Sequence, residues 1–370
     1  MILSRIQILG FILLVALSCK KKDNEPLFDS MGLSAAIGSA EIFPIPQASS
    51  FQFSDTIIVN EIRNGVEEAC TTFSVKAKSR FEELSVFYAT NYSEIWPGNI
   101  VQGKYVQESG RLVSFAGSGI IRKPIEVGIS GSMRSTPALV IQNPSEASVS
   151  KKITDNHYFF WFDSPLFTFL EGKRNYSKNQ VSSELGFNAG WLTGNVSVLL
   201  SNVSTTTSES IVLSLKQVYY TASCNRPLSP SDFFAPGTDV GSVKSLVVAG
   251  NPPLYIQSVQ YGRVALINIK TASKSDQVIR AFKIKLGIIS GNLTFEDEQL
   301  LESSEYSVFV AGGPAIDAWR IENIKNYFDS GNVFNPRTGV VPVSFTLNHL
   351  KDNSPYMFGT QFDYRLNTCN

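Results

Sequence analysis

Residues 181–191 obey two periods at once. Val181, Leu185, Phe187, Ala189 and Trp191 fall on odd positions, with Ser183 the one break, and Ser182, Glu184, Gly186, Asn188 and Gly190 lie between them. A period of two describes a strand with one wet and one apolar face. Leu185, Ala189, Leu192, Val196, Leu199, Leu200 and Val203 also recur mostly three or four apart, which is the apolar stripe of a helix. An ordinary element satisfies one pattern; a segment that is a packed helix first and a membrane strand later must satisfy both. Short apolar runs are ambiguous between helix and strand in any case, so periodicity alone leaves the ordinary reading open. A second stretch behaves alike. Phe282, Ile284, Leu286 and Ile288 alternate with Lys283, Lys285 and Gly287, while Val278, Ile279, Phe282, Leu286, Ile289 and Leu293 share a helical face. Its descending side is less regular, because Glu296, Asp297 and Glu298 fall together; that run reads as a solvated helix face. Each insert is about 30 residues long, room for two membrane strands of about 9–11 residues and a turn.

Around the inserts the chain is strand-rich. Strands are predicted at 51–53, 56–59, 71–77, 84–90, 111–115, 125–129, 306–311, 341–347 and 356–366, and at 254–260 and 263–270 around a turn at Tyr261-Gly262-Arg263, while Pro165 begins a new segment running to Leu170. Helices are predicted from 144–154 and 316–328, the latter from the spacing of Ala318, Ile321, Ile324 and Phe328. Both halves share one plan: strand, dual-period insert, strand. Residues 23–47, broken by Pro26, Gly32, Gly38, Pro44 and Pro46, read as a tether with an early edge strand at most.

Residues 1–18 form a targeting segment, with Arg5 before an apolar run too short to span a bilayer. Cys19 after Ala16-Leu17-Ser18 resembles the lipobox of bacterial lipoproteins, which makes Cys19 the lipidated first residue of a tether over 19–49; an ordinary cleaved signal peptide is the alternative. Lys20-Lys21-Lys22 and Asp23-Asn24-Glu25 resemble the signals that send some lipoproteins to the outer surface, and equally suit a solvated tether. The chain carries 32 basic and 32 acidic residues, which gives no electrostatic footprint for nucleic acid. His157 and His349 are the only histidines, and G-x-S-x-G, P-loop and H-E-x-x-H motifs are absent, so neither enzyme chemistry, a cofactor nor a metal is expected. Beyond Cys19 the cysteines are Cys70, Cys224 and Cys369, an odd number in an exported chain: one pair bridged, one thiol left.

An ordered set of short blocks carries a resemblance. They are Trp96-Pro97-Gly98 with Ile100-Val101-Gln102; Arg122-Lys123-Pro124-Ile125; Tyr176-Ser177-Lys178-Asn179-Gln180; Lys216-Gln217-Val218-Tyr219-Tyr220-Thr221; Asn251-Pro252-Pro253; Ser258-Val259-Gln260-Tyr261-Gly262-Arg263; Ser273-Lys274-Ser275; Gly312-Gly313; and Leu350-Lys351-Asp352-Asn353. In this order and near this spacing they resemble the cholesterol-dependent, or thiol-activated, cytolysins of the membrane-attack-complex/perforin superfamily. The resemblance implies an α+β fold: a bent, twisted antiparallel core sheet, two flanking helical clusters that can become transmembrane β-hairpins, and an elongated connecting sheet. The core maps to 50–366, the clusters to about 178–209 and 274–302, and 367–370 to a tail. The membrane-recognition domain that follows in the family is expected to be absent, so cholesterol dependence is not carried over.

On the same resemblance, the membrane-inserting residues are Val181, Leu185, Phe187, Ala189, Trp191, Val196, Val198, Leu200, Phe282, Ile284, Leu286 and Ile288. Gly312-Gly313 takes the place of a hinge, and valine at both is expected to spare monomer folding while blocking assembly. Tyr306 takes one place of an aromatic pair that sets register between subunits; the other falls at or near Leu170. The family's connecting sheet implies a Cys70–Cys369 bridge with Cys224 left over. The implied partners are target-membrane lipid, copies of the chain in a large homo- or hetero-oligomeric ring, and a longer cytolysin-like chain. The implied function is β-barrel pore formation by an exported lipoprotein, held at the outer-membrane surface or secreted. The alternative is a non-lytic surface lipoprotein of the same fold that binds a ligand or partner. Cys19→Ala is expected to release soluble protein or block maturation; native protein that begins elsewhere and carries no acyl mass would contradict the lipoprotein reading.

Overall fold

The computed structural model describes residues 29–63, 66–86, 92–131, 137–156, 158, 164–174, 181, 194–201, 209–273, 275–314, 320–335 and 338–369. In chain order the strands are β1 (Ser50–Arg63), β2 (Val66–Phe81), β3 (Glu83–Ser85), β4 (Ile100–Gln102), β5 (Ile125–Gly131), β6 (Leu139–Ile141), β7 (Leu166–Arg174), β8 (Glu209–Cys224), β9 (Pro253–Thr271), β10 (Glu305–Ala311), β11 (Val341–His349) and β12 (Phe358–Cys369). The helices are α1 (Ser30–Gly38), α2 (Gly103–Ser109), α3 (Glu146–Asn156), α4 (Gly194–Ser201), α5 (Val240–Leu246), α6 (Ser275–Lys285), α7 (Phe295–Glu302) and α8 (Ile321–Asp329).

Two long strands, β8 and β9, run antiparallel through the large sheet and change neighbours partway along. At one end β7 pairs with β8 and β10 with β9, so the order is β7-β8-β9-β10. At the other end β5 takes over the edge of β8 from Tyr220 and β11 the edge of β9 up to Gly262. The change of neighbour coincides with a register shift between Val218 and Tyr220. β9 is therefore one strand through Gly262, where a turn was expected. Gly262 is needed for close approach, because a Cβ there would lie 1.9 Å from Gln217 O.

A separate three-stranded sheet, β1-β2-β12, forms the elongated connection. β12 follows β2 from Phe358 opposite Phe81 to Cys369 opposite Cys70, so residues expected as a tail continue the strand. Phe51 and Phe53, with Ile57 and Ile58, belong to the single strand β1. One other expectation fails. Residues 111–115 make only an isolated bridge, Ser114 with Val101. The strand expected over 84–90 is described only as far as β3, 83–85.

The expected tether contains α1. Asp29 caps it, accepting from Gly32 N at 2.7 Å, and Leu33, Ala36 and Ile37 are buried. Their spacing is a helix stripe that Gly32 and Gly38 within it, and the prolines on either side, disguised. The segment after α1 is strapped down: Lys351 Nζ donates to Ala40 O at 2.7 Å, and the Phe43 ring lies edge-on to Tyr356 at 5.7 Å. Phe43 N donates to His349 Nε2 at 3.2 Å, which leaves the ring proton on Nδ1, 3.3 Å from Ser354 O.

Burial pushes the His349 imidazole below its ordinary value, against smaller raising effects of Ser354 and Asp352. Its stabilisation is full above the unfolded pKa of about 6.5 and is lost as pH falls through the lower folded value. Chemical denaturation at a series of pH values should show stability falling below about pH 6.5. His349→Gln should flatten that limb, and an unchanged slope in the variant would show that His349 does not drive it.

Candidate functional site

The four-stranded end of the large sheet is covered on both faces. On one face Val212, Val264 and Leu266 share a core with Val181 and with Val196, Leu199 and Leu200 of the α4 region. On the other, Ile211, Leu213, Leu215, Ala265, Ile267 and Ile269 pack with Val278, Ile279, Ala281 and Phe282 of α6, Leu301 of α7, and Ile321, Ile324, Tyr327 and Phe328 of α8. Side chains alternate across a strand, so neighbouring residues of β8 and β9 hold different helices.

Both inserts leave the sheet at this end. β8 begins where the first returns, and β9 ends where the second departs. Val181, Val196, Leu200 and Phe282 are fully buried, whereas Val198 is 62% exposed. Leu286 and Ile288 pack against the second core from partly buried positions. Ile289, expected on the packed stripe, is 40% exposed, because α6 ends at Lys285 and Gly287 turns the chain at φ +69°. Leu185, Phe187, Ala189 and Trp191 lie outside the described residues.

The helices of the second insert are held by discrete contacts. Thr294 and Asp297 form a reciprocal cap at the start of α7. Arg280 Nη1 lies 3.6 Å from Asp297 Oδ1, and Lys285 Nζ 3.2 Å from Glu322 Oε1 of α8. Burial pushes Glu322 up, but its own backbone N–H and Lys285 outweigh this and hold the carboxyl below the usual range. Tyr306 of β10 lies opposite Ile269, only 4% exposed, and its hydroxyl donates to Leu301 O of α7 at 2.8 Å. Leu170 lies on β7 opposite Ser214.

A polar latch sits where the sheet changes neighbours. Arg263, 2% exposed, donates from Nε to Thr338 O at 2.8 Å and from Nη1 to Tyr327 O at 2.9 Å, with Nη2 also on Thr338 O. The guanidinium carbon lies 5.4 Å from the Tyr327 ring centre. Tyr327 OH donates to Gly312 O at 2.7 Å, Tyr219 OH to Gly331 O at 2.6 Å, and Gln217 Nε2 to Phe328 O at 2.9 Å. Burial pushes the Tyr219 hydroxyl up to about 12, against the opposing pull of Arg263. The signal for this latch in the sequence is one arginine opening the apolar run of β9.

Gly312 and Gly313 hold φ of +80° and +68°. A Cβ at Gly312 would lie 2.7 Å from Gly262 O, and one at Gly313 2.8 Å from Arg263 Nε. Valine at either position therefore strains the folded monomer as well, which corrects the expectation that the substitutions spare monomer folding. Away from this end, Cys70 is disulfide-bonded and faces Cys369 in register. Cys224 is free and buried, its thiol pushed up to about 12 by desolvation despite Arg122.

A sequence model of the thiol-activated cytolysins matches residues 73–368. The chain belongs to the thiol-activated cytolysin family. It is 28% identical over 258 residues to perfringolysin O of Clostridium perfringens, covering 66% of this chain and 51% of that protein. It is 27% identical over 242 residues to streptolysin O of Streptococcus pyogenes, covering 62% and 42%. The chain thus spans about half the length of the curated relatives it matches. The fold matches pneumolysin with a TM-score of 0.74 at 20% identity, over 92% of this chain and 75% of that one.

Arg263→Met keeps the bulk but removes both donors to Thr338 O and one of the two to Tyr327 O, which Ser330 Oγ still reaches at 2.8 Å. Hydrogen bonds to charged groups contribute about 1.5–3 kcal/mol each, so a loss of at least about 2 kcal/mol is expected in urea unfolding. Limited proteolysis should then cut first in 330–340. A shift below about 0.5 kcal/mol, the range of ordinary surface substitutions, would show that the latch does not hold the corner.

Proposed function

We propose that this chain is a pore-forming protein that assembles into a ring on a target membrane and inserts two β-hairpins per subunit. The observation that carries the proposal is the placement of the described helices of both dual-period inserts on opposite faces of one antiparallel sheet, beside the strand ends they would extend. Neither described helix set is a ready-made span, since no helix among the described residues is long and apolar enough to cross a bilayer. Strands remain, and a closed barrel satisfies every backbone group in lipid. Burying side chains such as Phe282 and Ile284 there contributes on the order of 1.5–3 kcal/mol each.

In this reading Gly312-Gly313 is the hinge through which the chain beyond β10 swings away, freeing an edge for the next subunit. Tyr306, with Leu170 in the facing place, then sets register between copies. Lipidation at Cys19 holds the exported chain at a surface, and a Cys70–Cys369 bridge staples the far end of the β1-β2-β12 sheet. The partners are membrane lipid, further copies of the chain, and a longer cytolysin-like chain in a mixed ring.

The test uses single cysteines at 194–201 and 282–288 in a Cys224→Ala background, each carrying an environment-sensitive dye. On liposomes where rings form, the signal should alternate with a period of two. A helical period, or an unchanged signal on membranes bearing rings, would contradict insertion and favour the non-lytic surface lipoprotein.

A further inference from the structure

We propose that the groove between the outer edge of β6 and α3 binds an extended peptide as an added strand, and that the peptide it fits alternates acidic and apolar residues. The proposal stands apart from the pore-forming reading. It concerns the end of β8 away from the inserts, where β5 and then β6 complete the large sheet.

β6 is the last strand on its side of the sheet and pairs with β5 through Ile125–Ile141, Glu126–Val140 and Val127–Leu139. Which of its backbone groups are left over follows from β8. Glu126 O accepts from Asn225 N at 2.9 Å, so the backbone of Glu126 faces β8. Antiparallel strands alternate the direction of their hydrogen bonds residue by residue, so Ile125 and Val127 face β6 and bond Ile141 and Leu139. The N–H and C=O of Val140 then point outward, and neither has a partner among the described residues. The Val140 side chain is 44% exposed beside them. A very short edge strand discourages whole sheets from joining edge to edge. It still offers main-chain hydrogen bonds to a peptide of about five residues.

α3 forms the other wall. Val149 and Ile153 bury one side of the helix in the core that also holds Ile141. Ser148, Lys151, Lys152 and Asp155, three or four residues apart along α3, line the groove with Leu139 and Val140. Ser148 Oγ donates to Asn143 O at 2.6 Å, which ties the start of the helix to the end of the strand and fixes the width between them. The groove holds about 520 Å³. A strand edge facing a helix across such a groove is a geometry in which a peptide takes main-chain bonds on one side and side-chain contacts on the other. The helical wall is basic. Lys151 lies 2.8 Å from Asp155 in an exposed pair, which holds it weakly, and Lys152 pairs with no carboxylate among the described residues. Leu139 and Ile141 point to the α3 side of the sheet with Ile125 and Val127, while Val140 points to the other side with Glu126. A peptide residue level with Val140 exchanges both main-chain bonds with it and packs on its exposed side chain, so an apolar residue fits there. The residues before and after it point to the α3 side and meet the lysines, so acidic residues fit there.

The test is fluorescence anisotropy of a blocked, dye-labelled peptide, Ser-Thr-Glu-Val-Glu-Thr-Ser, titrated with the full-length chain and two variants. Val140→Pro removes the outward N–H and no bond to β5, a change an edge strand tolerates. It should weaken binding about tenfold or more and leave the unfolding midpoint unchanged. Lys152→Glu should weaken binding to a similar degree, and the same peptide with lysine in place of both glutamates should not bind. Hydrogen exchange at the Val140 amide should slow when the acidic peptide is present, which charge attraction alone would not cause. If Val140→Pro lowers the unfolding midpoint, Lys152→Glu and the exchange of the Val140 amide decide. Equal binding to either folded variant, equal binding of the lysine peptide, an unprotected Val140 amide, or no binding at about 1 mM peptide overturns the proposal. A monomer–dimer equilibrium abolished by Val140→Pro would give the edge to a second copy of the chain and overturn it as well.

Discussion

The antiparallel ladder between β8 and β9 is the interaction on which the rest depends. Each strand is longer than any one neighbour, so the pair survives while the neighbours change along it. It carries a core on each face and supplies Gly262 and Arg263 to the corner where the sheet changes partners. Its backbone hydrogen bonds are common to the monomer and to the proposed barrel. A switch between two packings is cheapest when the element that sets register does not itself change.

In the proposed switch, what changes is which groups cover the ladder. In the monomer, Phe282 and Val278 are buried by the sheet, and the ion pairs Arg280–Asp297 and Lys285–Glu322 tie α6 to α7 and to α8. Exposed ion pairs contribute about 0–1 kcal/mol each, so they orient the helices more than they lock them. The Tyr306 hydroxyl bonds to α7, so the proposed departure of α7 would uncover it. The latch around Arg263 is of another kind. Its donors end on carbonyls of α8 and of the 330–340 loop, so moving that loop strands a buried cation. The corner is thus the costlier element to open, and the helices the cheaper.

Much of this was legible in the residues. Val278 and Phe282 share a face in α6 as their spacing predicts, and Ile321, Ile324 and Phe328 do so in α8. The double periodicity marked both inserts, and the family resemblance singled out the glycine pair. Local signals failed where tertiary contacts override them. Tyr261-Gly262-Arg263 has the composition of a turn, yet the glycine exists because Gln217 O passes where a side chain would be. Gly32 and Gly38 disguised α1, whose Asp29 cap and Leu33-Ala36-Ile37 stripe were present to be read. The partners of Arg263 lie some 65 to 75 residues away, at Tyr327 and Thr338, beyond the reach of any local pattern.

Electron cryomicroscopy of the membrane-bound assembly tests the central claim most directly. The account predicts that β8 and β9 continue unbroken past Glu209 and Thr271 into the bilayer, with the faces that held α4 and α6 cleared. An assembly in which α4, α6 and α7 still pack on the sheet, with the strands ending where they end in the monomer, would contradict it.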